Sequence, residues 1–135
     1  MRRASNYWLV TVGPNARPHA RPVDGVWVDG ALCFGGSPET RWVRNVMANP
    51  SISVHLSSEA EAIILEGTAE YVSDASHALA TPAAAALKQK YPQYFSGAET
   101  PFRPFWALRP TKAFAWTLAG FPRDATCWRF AEPLS

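Results

Sequence analysis

The chain has 135 residues, 47% of them hydrophobic and 18% charged, with a formal net charge of +2. This length fits one domain, residues 1–135, and the composition excludes a disordered chain. The weak charge, with no like-charge run beyond Arg2-Arg3, gives no reason to expect nucleic acid.

No segment approaches the roughly 18 apolar residues of a membrane span, and no apolar run follows Arg2-Arg3 as in a signal peptide. Cys33 and Cys127 lie far apart and form no CxxC pair, so a reducing, cytoplasmic location and no membrane partner are expected. Cys33, on an apolar strand, reads as core. The six tryptophans, seven phenylalanines and four tyrosines suit a core, a dimer interface or a planar-ligand site.

In chain order, Tyr7 to Val12 reads as a strand with Trp8, Val10 and Val12 on one face and Leu9 on the other. A turn follows at Gly13-Pro14-Asn15-Ala16. Pro18 to Val23 reads as a second strand, placed at an edge by its prolines. Val26-Trp27-Val28, Asp29-Gly30 and Ala31 to Phe34 form a hairpin, because Asp-Gly supplies the positive φ angles of a tight primed turn.

Gly35-Gly36 ends that strand. Ser37 reads as an N-cap and Pro38 as the first residue of a helix running to Ala48, with Val43, Val46 and Met47 as its buried stripe. Asn49-Pro50 stops it. Ile52, Val54 and Leu56 alternate with Ser51, Ser53 and His55, the pattern of a half-buried strand.

Ala62 to Leu65 and Gly67 to Val72 make one or two more strands, with Gly67 at a bulge. Asp74 is placed to cap a short helix, and Thr81-Pro82 to start another that runs through Lys90. Gln93 to Pro104 reads as a loop. Phe105 to Leu108, Lys112 to Thr117 and Thr126 to Phe130 read as closing strands. About seven short strands with short connections predict a mostly antiparallel barrel.

Two segments carry the chemistry. In Phe34-Gly35-Gly36-Ser37-Pro38-Glu39-Thr40-Arg41, a glycine pair leaves a strand and opens a helix whose free N–H groups favour an anion. Ser37 and Thr40 add hydroxyls, and Arg41 can pair a phosphate in two-pronged fashion. A plain capped helix with solvated arginines fits the same residues. In Arg17-Pro18-His19-Ala20-Arg21-Pro22-Val23, an extended chain puts His19, Arg21 and Val23 on one face. The prolines leave neighbouring backbone groups free for a ligand, and a solvated edge strand fits equally.

Other chemistries find little support. His19, His55 and His77 have no metal-like spacing, and His55 and His77 read as solvated surface. No GxSxG, GxxxxGK[ST] or GxGxxG occurs. Glu59, Glu61, Glu66 and Glu70 fall at strand ends and turns. An enzyme built this way leaves the hard chemistry to a bound cofactor.

Taken together, these segments resemble the pyridoxamine 5′-phosphate oxidase-like superfamily of flavin and deazaflavin oxidoreductases. The resemblance runs from about Tyr7 to Phe130. Its residues are Leu9 to Gly13, Arg17-Pro18-His19, Arg21-Pro22-Val23, Gly30 to Phe34, Arg41, Arg44-Asn45, Asn49-Pro50, Glu66 to Ala69, Leu108 to Lys112, Phe114-Ala115-Trp116 and Ala125 to Phe130.

The resemblance implies a six-stranded antiparallel split β-barrel, a homodimer, and two FMN or deazaflavin (coenzyme F-420) sites at its interface. It implies cofactor contacts from His19, Arg21, Pro22 and Val23, from Gly36, Ser37, Thr40, Arg41 and Asn45, and from the partner's Trp116, Trp128 and Arg129. The expected activity is hydride transfer between the cofactor and a small organic substrate. The alternative is a non-catalytic flavin carrier or sensor, or a degenerate barrel that binds heme through His19 or His55 or binds nothing.

Two departures bear on this. Many relatives place lysine where Trp42 stands. The chain also ends at Ser135 without the C-terminal arginine–histidine motif of vitamin B6 oxidases, so that activity is not expected. Thr126-Cys127-Trp128-Arg129-Phe130 is similar to the deazaflavin-using branch, which often has arginine at the position of Cys127.

Overall fold

A computed structural model describes residues 4–56, 58, 60–95 and 102–131. In chain order it contains β1 (Tyr7–Val12), β2 (Pro18–Val23), β3 (Gly25–Val28), β4 (Ala31–Phe34), α1 (Arg41–Ala48), β5 (Ser51–Leu56), β6 (Glu61–Val72), α2 (Ala80–Lys90), β7 (Phe105–Thr117) and β8 (Thr126–Arg129). Short 3-10 turns cover Pro14–Ala16 and Pro92–Tyr94.

The eight strands form one sheet in the order β2-β1-β5-β6-β7-β4-β3, with β8 beside the second half of β7. Every pairing is antiparallel. The two ends of this order, β2 and β3, are joined by Asp24 alone. A one-residue link cannot span a flat sheet of this width, so the sheet must curl until its ends meet. The result is a barrel split along a seam between β2 and β3. Val23 from one end and Leu32 and Phe34 from near the other pack in the same core.

Tyr7, Leu9 and Thr11 face that core, while Trp8, Val10 and Val12 share the outer face. A second apolar cluster on the other side of β3, β4 and β7 lies under α2, where Leu79, Ala83 and Tyr91 cover Val26, Val28, Cys33 and Phe105. Burial pushes the Cys33 thiol up to about 11, so it is a small core residue and not a reactive one.

The hairpin turn forms as expected, with Asp29 at φ 47° and Gly30 at φ 75°. The bulge also forms: Glu66 pairs with Lys112 and Gly67 with Pro110, so Thr111 is the extra residue. It lets β6 and β7 run on as single long strands where shorter pieces were expected.

Four helix expectations are corrected. Helix α1 starts at Arg41 and not at Pro38, because Thr40 N–H and Oγ1 both bind Ser37 O, at 3.0 and 2.7 Å. Ser37 to Thr40 is thus a β-turn with Pro38 at its second position, where a fixed φ is favoured. The buried stripe is Trp42, Val43, Asn45 and Val46, and Met47 is 68% exposed. The large indole turns inward and sets the helix's rotation.

Helix α2 begins at Ala80, with Leu79 and not Thr81 before it. Asp74 caps no helix; its Oδ1 accepts from Ser76 N–H at 2.8 Å in a local turn. Part of the predicted 93–104 loop and Glu59 lie outside the described residues.

Candidate functional site

A cleft of about 370 Å³ opens at the barrel seam, lined by Asn6, Arg21, Pro22, Val23, Asp24, Gly35, Gly36, Thr40 and Trp42. The fold explains its contents. Strand β2 contributes Arg21 to Val23 as an edge, the Asp24 link crosses the seam, and the β4–α1 connection brings Gly35 to Trp42 against it. The glycine-pair segment and the Arg-Pro-Val segment, 12 or more residues apart, are brought together here.

Of the residues singled out beforehand, Arg21, Pro22, Val23, Gly36 and Thr40 line the cleft. His19 lies along β2 from it, within the electrostatic reach of Arg41 and Arg21. Partial burial first, and then those two guanidinium groups, hold its imidazole below the usual histidine range. Ser37 is exposed and its carbonyl is engaged in the turn.

Asn45 is elsewhere. Its Nδ2 donates to Thr11 Oγ1 at 3.1 Å inside the α1–β1 contact, and it is 5% exposed. Trp116 packs on Phe121 with ring centres 5.4 Å apart, Trp128 is half-exposed, and Arg129 stands opposite Lys112 on β8. Within one chain, none of these three lines the cleft.

Asn6 and Asp24 are cleft residues that no motif announces. The signal that finds them is register: β1 and β2 stop pairing at Tyr7 opposite Val23, so residues 6 and 24 come next on either side. Trp42 forms a wall of the cleft. Its indole is 2% exposed and packs on Phe34 with ring centres 5.5 Å apart.

Electrostatically the site is bare of counter-charge on its basic side. His77 Nε2 lies 3.0 Å from Glu70 Oε1, the one basic-side-chain to carboxylate contact found among the described residues, and it involves neither Arg21 nor Arg41. His77 is therefore not the solvated side chain expected, and His55 is half-buried with its ring stacked on Trp8. Among the described residues no group of three or more His, Cys, Asp or Glu side chains is placed to hold a metal ion. No described helix is long and apolar enough to cross a membrane.

The space at Gly35 is open where a side chain would stand, and Arg21 and nearby Arg41 offer donors, while the Thr40 hydroxyl and N–H are both engaged by Ser37 O. This donor set fits a planar ligand with an anionic arm, which is the character of a flavin or deazaflavin phosphate.

A curled antiparallel sheet with a glycine-lined cleft at its seam is the split barrel of the FMN-binding kind. The profile described as pyridoxamine 5′-phosphate oxidase matches residues 2–117, and the chain belongs to that family. No curated protein matches it.

Solved structures share the fold. A pyridoxamine 5′-phosphate oxidase-related, FMN binding protein from Nostoc punctiforme aligns over 95% of this chain and 88% of its own, at 16% identity and TM-score 0.65. An F-420 reductase aligns over 83% and 90%, at 21% identity and TM-score 0.61. A heme binding protein from Mycobacterium smegmatis aligns over 93% of this chain, at 19% identity and TM-score 0.73. This chain spans about half, 53%, of that last structure.

Proposed function

We propose that the protein is an oxidoreductase that holds FMN or the deazaflavin coenzyme F-420 in the seam cleft, between two copies of the chain, and acts on a small organic substrate. The observation that carries this reading is the meeting of Arg21, Thr40 and the Gly35-Gly36 pair in one cleft. Either cofactor, when bound, supplies hydride transfer at its tricyclic ring.

The chain's own residues bind and orient. Pro22 and Val23 offer an edge-strand floor, Arg21 offers donors to a phosphate, and Arg41 reaches the same region from the first turn of α1. Trp42 closes the inner wall and excludes water from it.

A second copy is supported by the outer sheet face. There Trp8, His55, Ile64, Phe114 and Cys127 form one row across β1, β5, β6, β7 and β8. Trp8, His55, Ile64 and Phe114 are half-buried in the single chain, and Cys127 is exposed. A contiguous patch of this kind marks an interaction site. In a dimer, Trp116, Trp128 and Arg129 of the partner's β7–β8 hairpin would cover the cleft.

The test is a titration of purified protein with FMN and with F-420, followed by absorbance, alongside sedimentation. Saturable binding of one cofactor by a dimer is expected, and Arg41→Ala should weaken it by about 1.5–3 kcal/mol, roughly 10- to 150-fold. No saturable binding of either, or a monomer at working concentration, overturns the reading. Tight binding with no turnover by any reductant would make the protein a carrier or sensor.

A further inference from the structure

Asp24 stands where two ladders stop. β1 and β2 end at Tyr7 opposite Val23, and β3 and β4 end at Gly25 opposite Phe34. Asp24 therefore falls between Asn6 on one side and Gly35 on the other, and all three line the cleft. An ionised carboxylate only accepts hydrogen bonds. At this spot, within electrostatic reach of Lys90, it disfavours the anion that Arg21 attracts.

Arg21 and Asp24 are three residues apart along an extended strand, a span of about 10 Å. A ligand that fills the cleft must then carry its anion near Arg21 and offer an N–H or O–H donor near Asp24.

The wall bearing Asp24 is braced from behind by the end of α2. Lys90 Nζ donates to Gly25 O at 2.8 Å and to Tyr7 Oη at 3.1 Å, and lies over the Tyr7 and Tyr91 rings, 4.7 and 5.3 Å from their centres. Tyr91 Oη accepts from Gly25 N–H at 3.1 Å and donates to Ser5 O at 2.9 Å. The residues on both sides of Asn6 and the residue after Asp24 are thus tied to one latch. Fixed partners of this kind discriminate between ligands more sharply than mobile ones do.

We propose that Asp24, with Asn6 beside it, is a specificity-determining residue that accepts the imide N–H of the ring system. That imide belongs to the pyrimidinedione edge, which FMN and the deazaflavin share. This rests on the cofactor reading above and adds to it the orientation of the ring: imide edge toward Asp24, phosphate toward Arg21. A fixed carboxylate at that edge also opposes the negative charge that reduction brings to the ring, so it lowers the reduction potential of the bound cofactor.

The experiment compares FMN and 5-deaza-FMN with their N3-methyl derivatives on the wild type, Asp24→Ala and Asp24→Asn, read by absorbance and fluorescence titration. The wild type is expected to bind the parent ring at least tenfold more tightly than its N3-methyl derivative. Asp24→Ala should bind the two equally, and Asp24→Asn should raise the potential of the bound ring.

Equal wild-type affinity for parent and methylated ligand overturns the inference and leaves the cofactor reading intact. So does a preference that survives in Asp24→Ala. Failure of the wild type to bind any of the four overturns both. The wild-type comparison needs no substitution, so it decides the matter even if a variant folds poorly.

Discussion

The indole of Trp42 lies directly beneath the backbone of Gly36, so closely that a methyl group added at Gly36 would fall 2.9 Å from its Cε2 and overlap the ring edge. The glycine pair at the cleft therefore has a packing cause as well as a binding one. Gly36→Ala should destabilise by about 1–3 kcal/mol, because the ring is enclosed and cannot withdraw. Trp42→Phe should cost stability alone, yet the double variant should lose less than the sum of the two. Chemical denaturation of the four proteins reads this directly; strict additivity would mean the two residues do not press on one another.

Asn45 belongs to the scaffold. Its bond to Thr11 Oγ1 joins α1 to β1 in a place where neither group reaches water. Asn45→Ala should cost about 1–3 kcal/mol by leaving Thr11 unpaired, and Asn45→Leu with Thr11→Val should recover part of that loss. Cofactor affinity, measured on the folded protein, should stay within about twofold, since a change of that size is under 1 kcal/mol. A tenfold loss would place Asn45 at the ligand after all.

His19 gives the site a pH dependence of known sign. Burial, Arg41 and Arg21 all keep the free imidazole below its usual range, so it is uncharged at neutral pH. A phosphate bound among these groups offsets the two guanidinium charges and raises the imidazole, so binding takes up a proton. FMN affinity should therefore increase as pH falls from neutral and level off below the depressed value of the free protein. For the ligand-free fold the sign is opposite: this group's contribution is present above the ordinary histidine range and lost as pH falls through the depressed value. Isothermal titration at several pH values, with His19→Gln as control, separates His19 from the phosphate's own titration.

Phe114 sits in the outer apolar row, with Lys112 Nζ 4.9 Å from its ring centre. A carboxylate placed there must give up its water when a second copy covers it, and Lys112 beside it offsets that cost only in part. Phe114→Glu should halve the mass seen in sedimentation and weaken cofactor binding at least tenfold, with the circular dichroism of the barrel unchanged. A Phe114→Glu protein that remains dimeric would move the interface to another face.

Local chemistry was the legible part of this chain. The Asp29-Gly30 turn, the alternation in β5, the proline-rich edge strand β2 and the bulge at Gly67 each depend on a few neighbouring residues, and each appears in the structure. The start of α1 was not legible. Ser37-Pro38 satisfies the rules for a helix cap and for a β-turn alike, and the choice is made by Thr40 binding back to Ser37 O and by Trp42 filling the space below.

What the order of residues settled alone was where most strand segments lie, their mostly antiparallel pairing and the two segments rich in ligand-binding groups, because these follow from periodicity, turn residues and side-chain chemistry within short windows. Tertiary structure decided which face of each strand looks inward, that Asn45 serves the core, and that Asn6 and Asp24 share a cleft with Arg21 and Thr40. Those outcomes depend on the curl of the sheet, which brings its two end strands together at a single residue, and no short window of sequence contains both sides of that seam.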